Sequence, residues 1–95
     1  MTIYTLLADV DDQQFQSPQE VGTIWGEISG EIEELGGEIV NSYILLGEYD
    51  FQIVFDADHE DAVFQIAMAV QRHGLNTKTL RSVPIERLGD LADDV

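Results

Sequence analysis

Few side chains in this sequence of 95 residues could take part in a reaction or hold a ligand. Imidazoles move protons near neutral pH, phenols can donate them, and guanidinium groups bind anions. The chain has no cysteine, which excludes disulfides, thiol nucleophiles and cysteine-ligated metals. The sequence assigns no catalytic residue. The candidate binding residues are Tyr4, Tyr43, Tyr49, Asp50, His73 and Arg81.

A metal site is not expected. The acidic run from Asp56 to Asp61 alternates oxygen ligands, but it lacks the glycine and the final glutamate of a calcium loop. Its position before a predicted helix favours capping and solvation instead. His59 and His73 lie 14 positions apart near opposite ends of that helix, which separates them by about 21 Å. We therefore expect neither a metal nor a cofactor.

Four of the candidate residues also have structural explanations. Asp50 and Arg81 are charged residues within apolar strands, and they could form an ion pair or an anion-binding or catalytic site. Another acid at a subunit interface could equally pair with Arg81. Tyr49 could pack in a hairpin or act as a general acid. His73 lies in the last turn of a predicted helix, where a cation is favoured.

The hydrophobic pattern predicts the order strand, helix, strand, strand, helix, strand. Residues 2–9 form the first strand, and Ser17 and Pro18 then begin a helix that ends at Gly36 and Gly37. A hairpin covers residues 38–56, a second helix covers about 58–74, and the last strand covers 76–83 before Pro84. This order predicts an α+β, ferredoxin-like βαββαβ domain with two helices on one face of a four-stranded antiparallel sheet. We place the domain at 1–84 and an acidic tail at 85–95.

Two predicted strands are apolar on both faces. In the first strand, Ile3 and Leu7 share one side, and Tyr4 and Leu6 share the other. One apolar set of the second strand is Ile39, Tyr43 and Leu45, and the set on its other side is Val40, Ile44 and Leu46. We expect the face with Tyr4, Leu6 and Ile44 to be buried against a second subunit, as in a dimeric α+β barrel. The alternative is that the tail covers this face within one chain.

A short turn motif connects the two hairpin strands. Its residues are Gly47, Glu48, Tyr49 and Asp50, between the run 40–46 and the run 51–56. Together with the Thr77 to Arg81 strand, this arrangement resembles the GYD-domain family, and the resemblance covers most of the chain. It implies a small α+β domain that is often oligomeric and whose biochemical role is largely unassigned. In that family the Tyr-Asp turn and the arginine of a Thr-x-Thr-Leu-Arg strand both recur.

The charge of the chain limits its environment and its partners. Nineteen acidic residues face four basic ones, which gives a net charge of −15. Repulsion among these charges is costly in dilute buffer and is screened by molar salt, so we expect a protein from a halophilic archaeon that accumulates salt. The alternative is an ordinary acidic protein. Nucleic acid and anionic membranes are excluded as partners because both require clustered basic residues. No apolar stretch is long enough to span a membrane, and we expect a cytoplasmic protein.

Three functions are compatible with these features. The first is a non-enzymatic, homo-oligomeric GYD-type domain that binds a small ligand between sheets. The second is a small cofactor-free enzyme, similar to monooxygenases or isomerases that use the cavity between helices and sheet, and it depends on fold analogy alone. The third is an interaction or structural protein without a ligand. A cavity with convergent polar groups would favour a ligand binder or an enzyme, and a filled interior would favour the third.

Overall fold

A computed structural model describes residues 2–10 and 18–93 of the chain. Four strands and two long helices alternate, and a 3₁₀ turn and a short helix follow the last strand. The elements are β1 Ile3–Val10, α1 Pro18–Glu34, β2 Gly37–Ile44, β3 Phe51–Ala57, α2 Glu60–Arg72, β4 Leu75–Ser82, the 3₁₀ turn Ile85–Arg87 and α3 Leu88–Asp93.

The four strands form one antiparallel sheet in the order β2-β3-β1-β4. The two central strands, β1 and β3, are each followed by a long helix that returns across the same face of the sheet. This is the ferredoxin-like α+β fold that the element order predicted. None of the helices in the described ranges has the length and apolar character that crossing a membrane requires.

The helix boundaries agree with the predicted ones within two residues. The predicted capping of the second helix by an acidic side chain is wrong. Helix α1 begins at Pro18, and the predicted capping residue Ser17 lies outside the described residues. Helix α2 is capped by His59, whose side chain makes no capping hydrogen bond in the described structure. Asp56, one of the acids predicted to cap this helix or stay in solvent, instead accepts a hydrogen bond of 3.1 Å from the Thr2 N–H.

The core lies between the two long helices and one face of the sheet. Leu6 and Ala8 of β1 and Phe55 of β3 are fully buried there, with Ile32 of α1 and Ile66 of α2. The expectation that the face with Tyr4 and Leu6 packs on a second subunit is therefore wrong. Both sets of β1 residues are apolar, so alternation alone could not show which set the helices cover.

The opposite face of the sheet, here called the open face, has no helix or strand packed on it in the described chain. Ile3 and Leu7 lie on it, because they alternate with the core residues of β1. The alternation of side chains along β2 shifts by one residue at an irregularity in its pairing with β3, between Ile39 and Asn41. This bulge places Ile39 on the helix side and Tyr43 on the open face, although the sequence pattern grouped these two residues.

The chain after β4 forms helical turns without joining the core. In the described part of this segment, residues 83–93, none of the residues is buried. Leu80 on the open face remains half-exposed. The segment therefore does not cover the open face within one chain, which was the alternative to a second subunit.

Candidate functional site

The loop between β2 and β3 carries the turn motif, and Asp50 fixes it to the neighbouring strand. The Asp50 carboxylate accepts a hydrogen bond of 2.7 Å from the Val10 N–H, and the Asp50 N–H donates one of 2.9 Å to the Ala8 carbonyl. The Asp50 carbonyl accepts a further bond from the Leu45 N–H at 2.8 Å, which closes the loop. Gly47 has a φ of 137°, a conformation that residues with a Cβ rarely adopt. The backbone conformation of Gly47 and the hydrogen bonds of Asp50 therefore give structural reasons for the glycine and the aspartate of the motif.

The tyrosine of the motif reaches the far edge strand of the sheet. The ammonium nitrogen of Lys78, on β4, lies 5.8 Å from the centre of the Tyr49 ring. Hydrogen bonding and attraction by Tyr49 raise the pKa of Lys78 above its ordinary value, and the charge of Glu48 adds to this. The Tyr49 side chain is half-buried. This single lysine of the protein therefore helps to hold the loop over the end of the open face.

His73 joins the two long helices. It caps the C-terminus of α2, and its side chain is 15% exposed. Its Nε2 lies 2.9 Å from a Glu31 oxygen and its Nδ1 lies 3.6 Å from a Glu27 oxygen, and both acids are on α1. One imidazole between two carboxylates stabilises the contact between the helices. Within residues 2–10 and 18–93, the acidic and histidine side chains form no group suited to a metal ion.

Tyr4 and Arg81 are cross-strand neighbours at the opposite end of the sheet from Asp50. The Tyr4 ring stacks on Phe55 with 5.7 Å between the ring centres, while the Arg81 side chain is exposed. Arg81 lies opposite Tyr4 and Asp50 lies beside Ala8, which puts roughly 13 Å of strand between them. The ion pair considered for Asp50 and Arg81 therefore does not form, and the ion pairs in the described ranges both involve His73.

The sixth candidate, Tyr43, is half-exposed on the open face, where it lies opposite Gln52. The six candidate residues are thus spread over the loop, the helix contact, both ends of the sheet and its open face. They do not converge on one cavity. An apolar cavity does exist between the first turns of α1 and the sheet, beside Trp25 and Ile28, and its volume is about 10 Å³. That is room for about one water molecule, and none of the six candidates lines it.

The sequence model of the GYD-domain family matches residues 4–92 of this chain. The chain belongs to the GYD-domain family. The match begins in β1, includes the loop with Gly47 and Asp50, and continues through most of α3. The sequence resemblance to this family is therefore confirmed, and it extends past Pro84. A search of curated proteins finds no match.

Solved structures with the same fold have little sequence in common with this GYD domain. The leucine response regulatory protein LrpA of Mycobacterium tuberculosis superposes on 87% of the chain with a TM-score of 0.62 and 10% identity. The GYD domain spans only 51% of the length of LrpA. FFRP-DM1 matches 87% of this chain and 100% of its own, with a TM-score of 0.57 and 15% identity. The designed protein Ferredog-Diesel matches 83% of both chains, with a TM-score of 0.56 and 18% identity. These similarities establish the fold.

Several contacts of this GYD domain were not predicted from the sequence. Glu27 and Glu31 are four residues apart on α1, and that spacing puts them on one helix face. Nothing local indicates that His73 packs against that face. The bond from Val10 to Asp50 likewise joins positions far apart in the sequence.

Proposed function

We propose that this GYD domain is a non-catalytic, homo-oligomeric module that packs the open face of its sheet against the same face of a second copy. The observation that carries this proposal is the absence of acids from the centre of that face. One residue in five of the chain is acidic, 19 of 95. On a face that stays in solvent, a chain of this composition would be expected to place carboxylates.

The centre of the open face is uncharged and mostly apolar. We call it the open-face patch, and its residues are Ile3, Thr5, Leu7, Gln52, Val54 and Leu80. The strand register makes them direct neighbours, because Thr5 lies opposite Val54 on one side and Leu80 on the other. The Thr5 hydroxyl lies 2.9 Å from the Ser82 hydroxyl, so burial would not leave it without a partner. A second protein surface can therefore cover this patch without stranding a charge.

The rim of the patch supports a second copy as the covering partner. Lys78 lies beside Leu7 on one side, while Asp9 and Asp56 lie at the ends of the same face. Two copies related by a two-fold axis present both charge signs to each other around an uncharged centre. Such an arrangement offsets part of the repulsion between two chains that each carry −15. Any small ligand would then lie between the paired sheets, because the cavity under α1 has room for about one water.

The surroundings we propose are a cytoplasm rich in salt. The net charge of −15 supports this, because close approach of two such chains is favoured only where ions screen them. More specifically, we propose that the protein comes from a halophilic archaeon. The cofactor-free enzyme receives no support from the geometry, since His73 is engaged with two carboxylates and Tyr4 lies against the core.

Sedimentation equilibrium in about 2 M potassium chloride tests the pairing of the open faces, since that salt screens repulsion beyond roughly 3 Å. We expect a dimer for the wild type and a monomer for Leu80→Asp, which puts a charge at the centre of the patch. Leu80 is half-exposed, so the variant should still fold. Gln65→Asp, on the exposed side of α2, adds the same charge elsewhere and should remain dimeric. A monomeric wild type, or equal dissociation of both variants, would refute the proposal.

A further inference from the structure

The exposed apolar side chains of this domain are concentrated at two places. Eleven large apolar residues are exposed in the described chain, and seven of these belong to two groups. One group, the C-terminal arm, is residues 83–93, with Val83, Ile85, Leu88 and Leu91 exposed. The other, the β2 corner, consists of Tyr43, Ile44 and Leu46 at the end of β2 and in its loop. Isolated exposed apolar residues are ordinary, but two such groups on so acidic a chain require an explanation. Within the β2 corner, Tyr43 lies on the open face, whereas Ile44 lies opposite Phe51, on the helix side of the edge strand.

The arm has an apolar side that remains largely exposed in the described part of the chain. Ile85, Leu88 and Leu91 are three residues apart, so they lie along one side of the helical turns. Ile85 is 79% exposed and Leu88 is 62% exposed. The close packing of α3 is with the preceding 3₁₀ turn rather than with the body of the domain. Helical turns this short are not stable in isolation, so a surface that receives the apolar side would stabilise them.

The β2 corner is the most exposed apolar part of the sheet. Ile44 is 87% exposed and Leu46 is fully exposed. Strand β2 is also an edge strand, so one side of its backbone has no strand partner in the described structure. Edge strands are usually shielded by charge or by a covering segment, and among residues 2–10 and 18–93 no segment covers Ile44 or Leu46.

A single chain cannot bury one group with the other. The sheet order places β2 and β4 at opposite edges, about 14 Å apart for three strand spacings. The arm leaves the end of β4 that lies beside Ile3, whereas the β2 corner lies beyond Phe51, at the other end of the strands. The two groups therefore occupy diagonally opposite corners of the sheet.

We propose that the C-terminal arm of each copy packs its apolar side on the β2 corner of the second copy. This inference rests on the proposed pairing of open faces, and it adds the segment that fastens the pair. When the open faces of two copies pack together, a two-fold axis that lies between the sheets, perpendicular to the line from the arm to the β2 corner, brings each arm to the β2 corner of its partner. The contact then forms twice, and on each chain it covers the apolar side of the arm together with Tyr43 and Leu46 of the corner.

A second copy fits these groups better than an unrelated partner does. The two apolar groups occur on one chain, have similar extent, and are placed where two-fold symmetry matches them. The GYD-domain match extends to residue 92, so nearly the whole arm belongs to the matched domain.

Cross-linking between two single-cysteine variants tests this contact directly, because the natural chain has no cysteine. Leu88→Cys would be mixed with Leu46→Cys in about 2 M potassium chloride and oxidised, and mixed-chain dimers would be counted on a non-reducing gel. The matched control replaces Leu46→Cys with Phe64→Cys, which is also exposed but lies on α2. Since each chain carries one cysteine, a disulfide between the two variants is necessarily intermolecular.

We expect the Leu88 and Leu46 pair to give at least ten times more mixed-chain dimer than the control pair. Equal yields from both pairs would overturn the arm contact. If sedimentation still shows a dimer in that case, the pairing of open faces stands and only the arm contact fails. If the wild type is monomeric, both proposals fail. A second variant, Leu88→Asp, should raise the dimer dissociation constant about tenfold or more, while Glu86→Ala should leave it nearly unchanged.

Discussion

The bond between the Asp50 carboxylate and the Val10 N–H leads to the most specific prediction for single residues of this GYD domain. Asp50→Ala removes the acceptor of a 2.7 Å hydrogen bond and leaves the half-buried Val10 N–H without that partner. Hydrogen bonds to charged groups contribute about 1.5–3 kcal/mol, and a stranded donor costs about 1–3 kcal/mol. We expect Asp50→Ala to lower the free energy of unfolding by about 2 kcal/mol. Asp50→Asn keeps an acceptor without the charge and should cost about half as much.

The assay is denaturant unfolding in about 2 M potassium chloride, with thermal melts as a second measure. For a domain of this size, a loss of 2 kcal/mol lowers the melting temperature by about 8–16 °C. Asp9→Ala is the matched control. It removes the same charge, but the Asp9 carboxylate accepts a hydrogen bond from the exposed Asn76 amide at 2.9 Å rather than from a backbone N–H.

The comparison of these two variants isolates the bond itself. Each variant removes one negative charge from a chain of −15, so both gain a similar relief of repulsion. The difference between them then measures the contact with Val10. If Asp50→Ala is no less stable than Asp9→Ala, the carboxylate does not hold the loop, and the structural explanation of the aspartate in the motif is wrong.

Three further predictions follow from the charge and the ion pairs. Raising potassium chloride from about 0.1 to 2 M should raise the melting temperature, because the ions screen the excess negative charge; an unchanged or falling value would contradict this. Arg81→Ala should change the free energy of unfolding by less than about 0.5 kcal/mol, because Arg81 is exposed and forms no ion pair within the described ranges. A loss of about 3–5 kcal/mol would instead indicate a buried carboxylate partner. His73→Ala should cost about 1–3 kcal/mol, because it removes the 2.9 Å contact with Glu31 between the helices. The control is exposed His59→Ala, and equal effects of the two in denaturant unfolding would refute a role for His73 in joining the helices.

The elements of this domain could be predicted because they depend on local patterns. The apolar residues of α1 recur at three and four positions, and Pro18 at its start and the glycines after its end mark its limits. The hairpin could be predicted because two strand-like runs flank Gly47, whose positive φ suits a turn. The antiparallel ferredoxin-like arrangement then follows from the order of elements and their short connections.

The faces of the sheet could not be predicted in the same way. Alternation divides β1 into the set of Leu6 and the set of Leu7, but both sets are apolar, so the pattern has no preference for either face. The packing of α1 and α2 decided that Leu6 is in the core. The bulge of β2 after Ile39 depends on its pairing with β3, which local residues do not encode.

By itself, the sequence determined the class of the fold, the acidic character of the surface and the positions of the turns, because these depend on composition and on spacing along a few turns or strands. Only the tertiary structure decided which side chains meet. Asp50 and Val10 are 40 positions apart, and His73 and Glu31 are 42 apart. Such contacts arise from the packing of whole elements, which no short stretch of residues specifies. The same reason explains why the exposed arm and the β2 corner became visible only once the sheet order placed them at opposite corners.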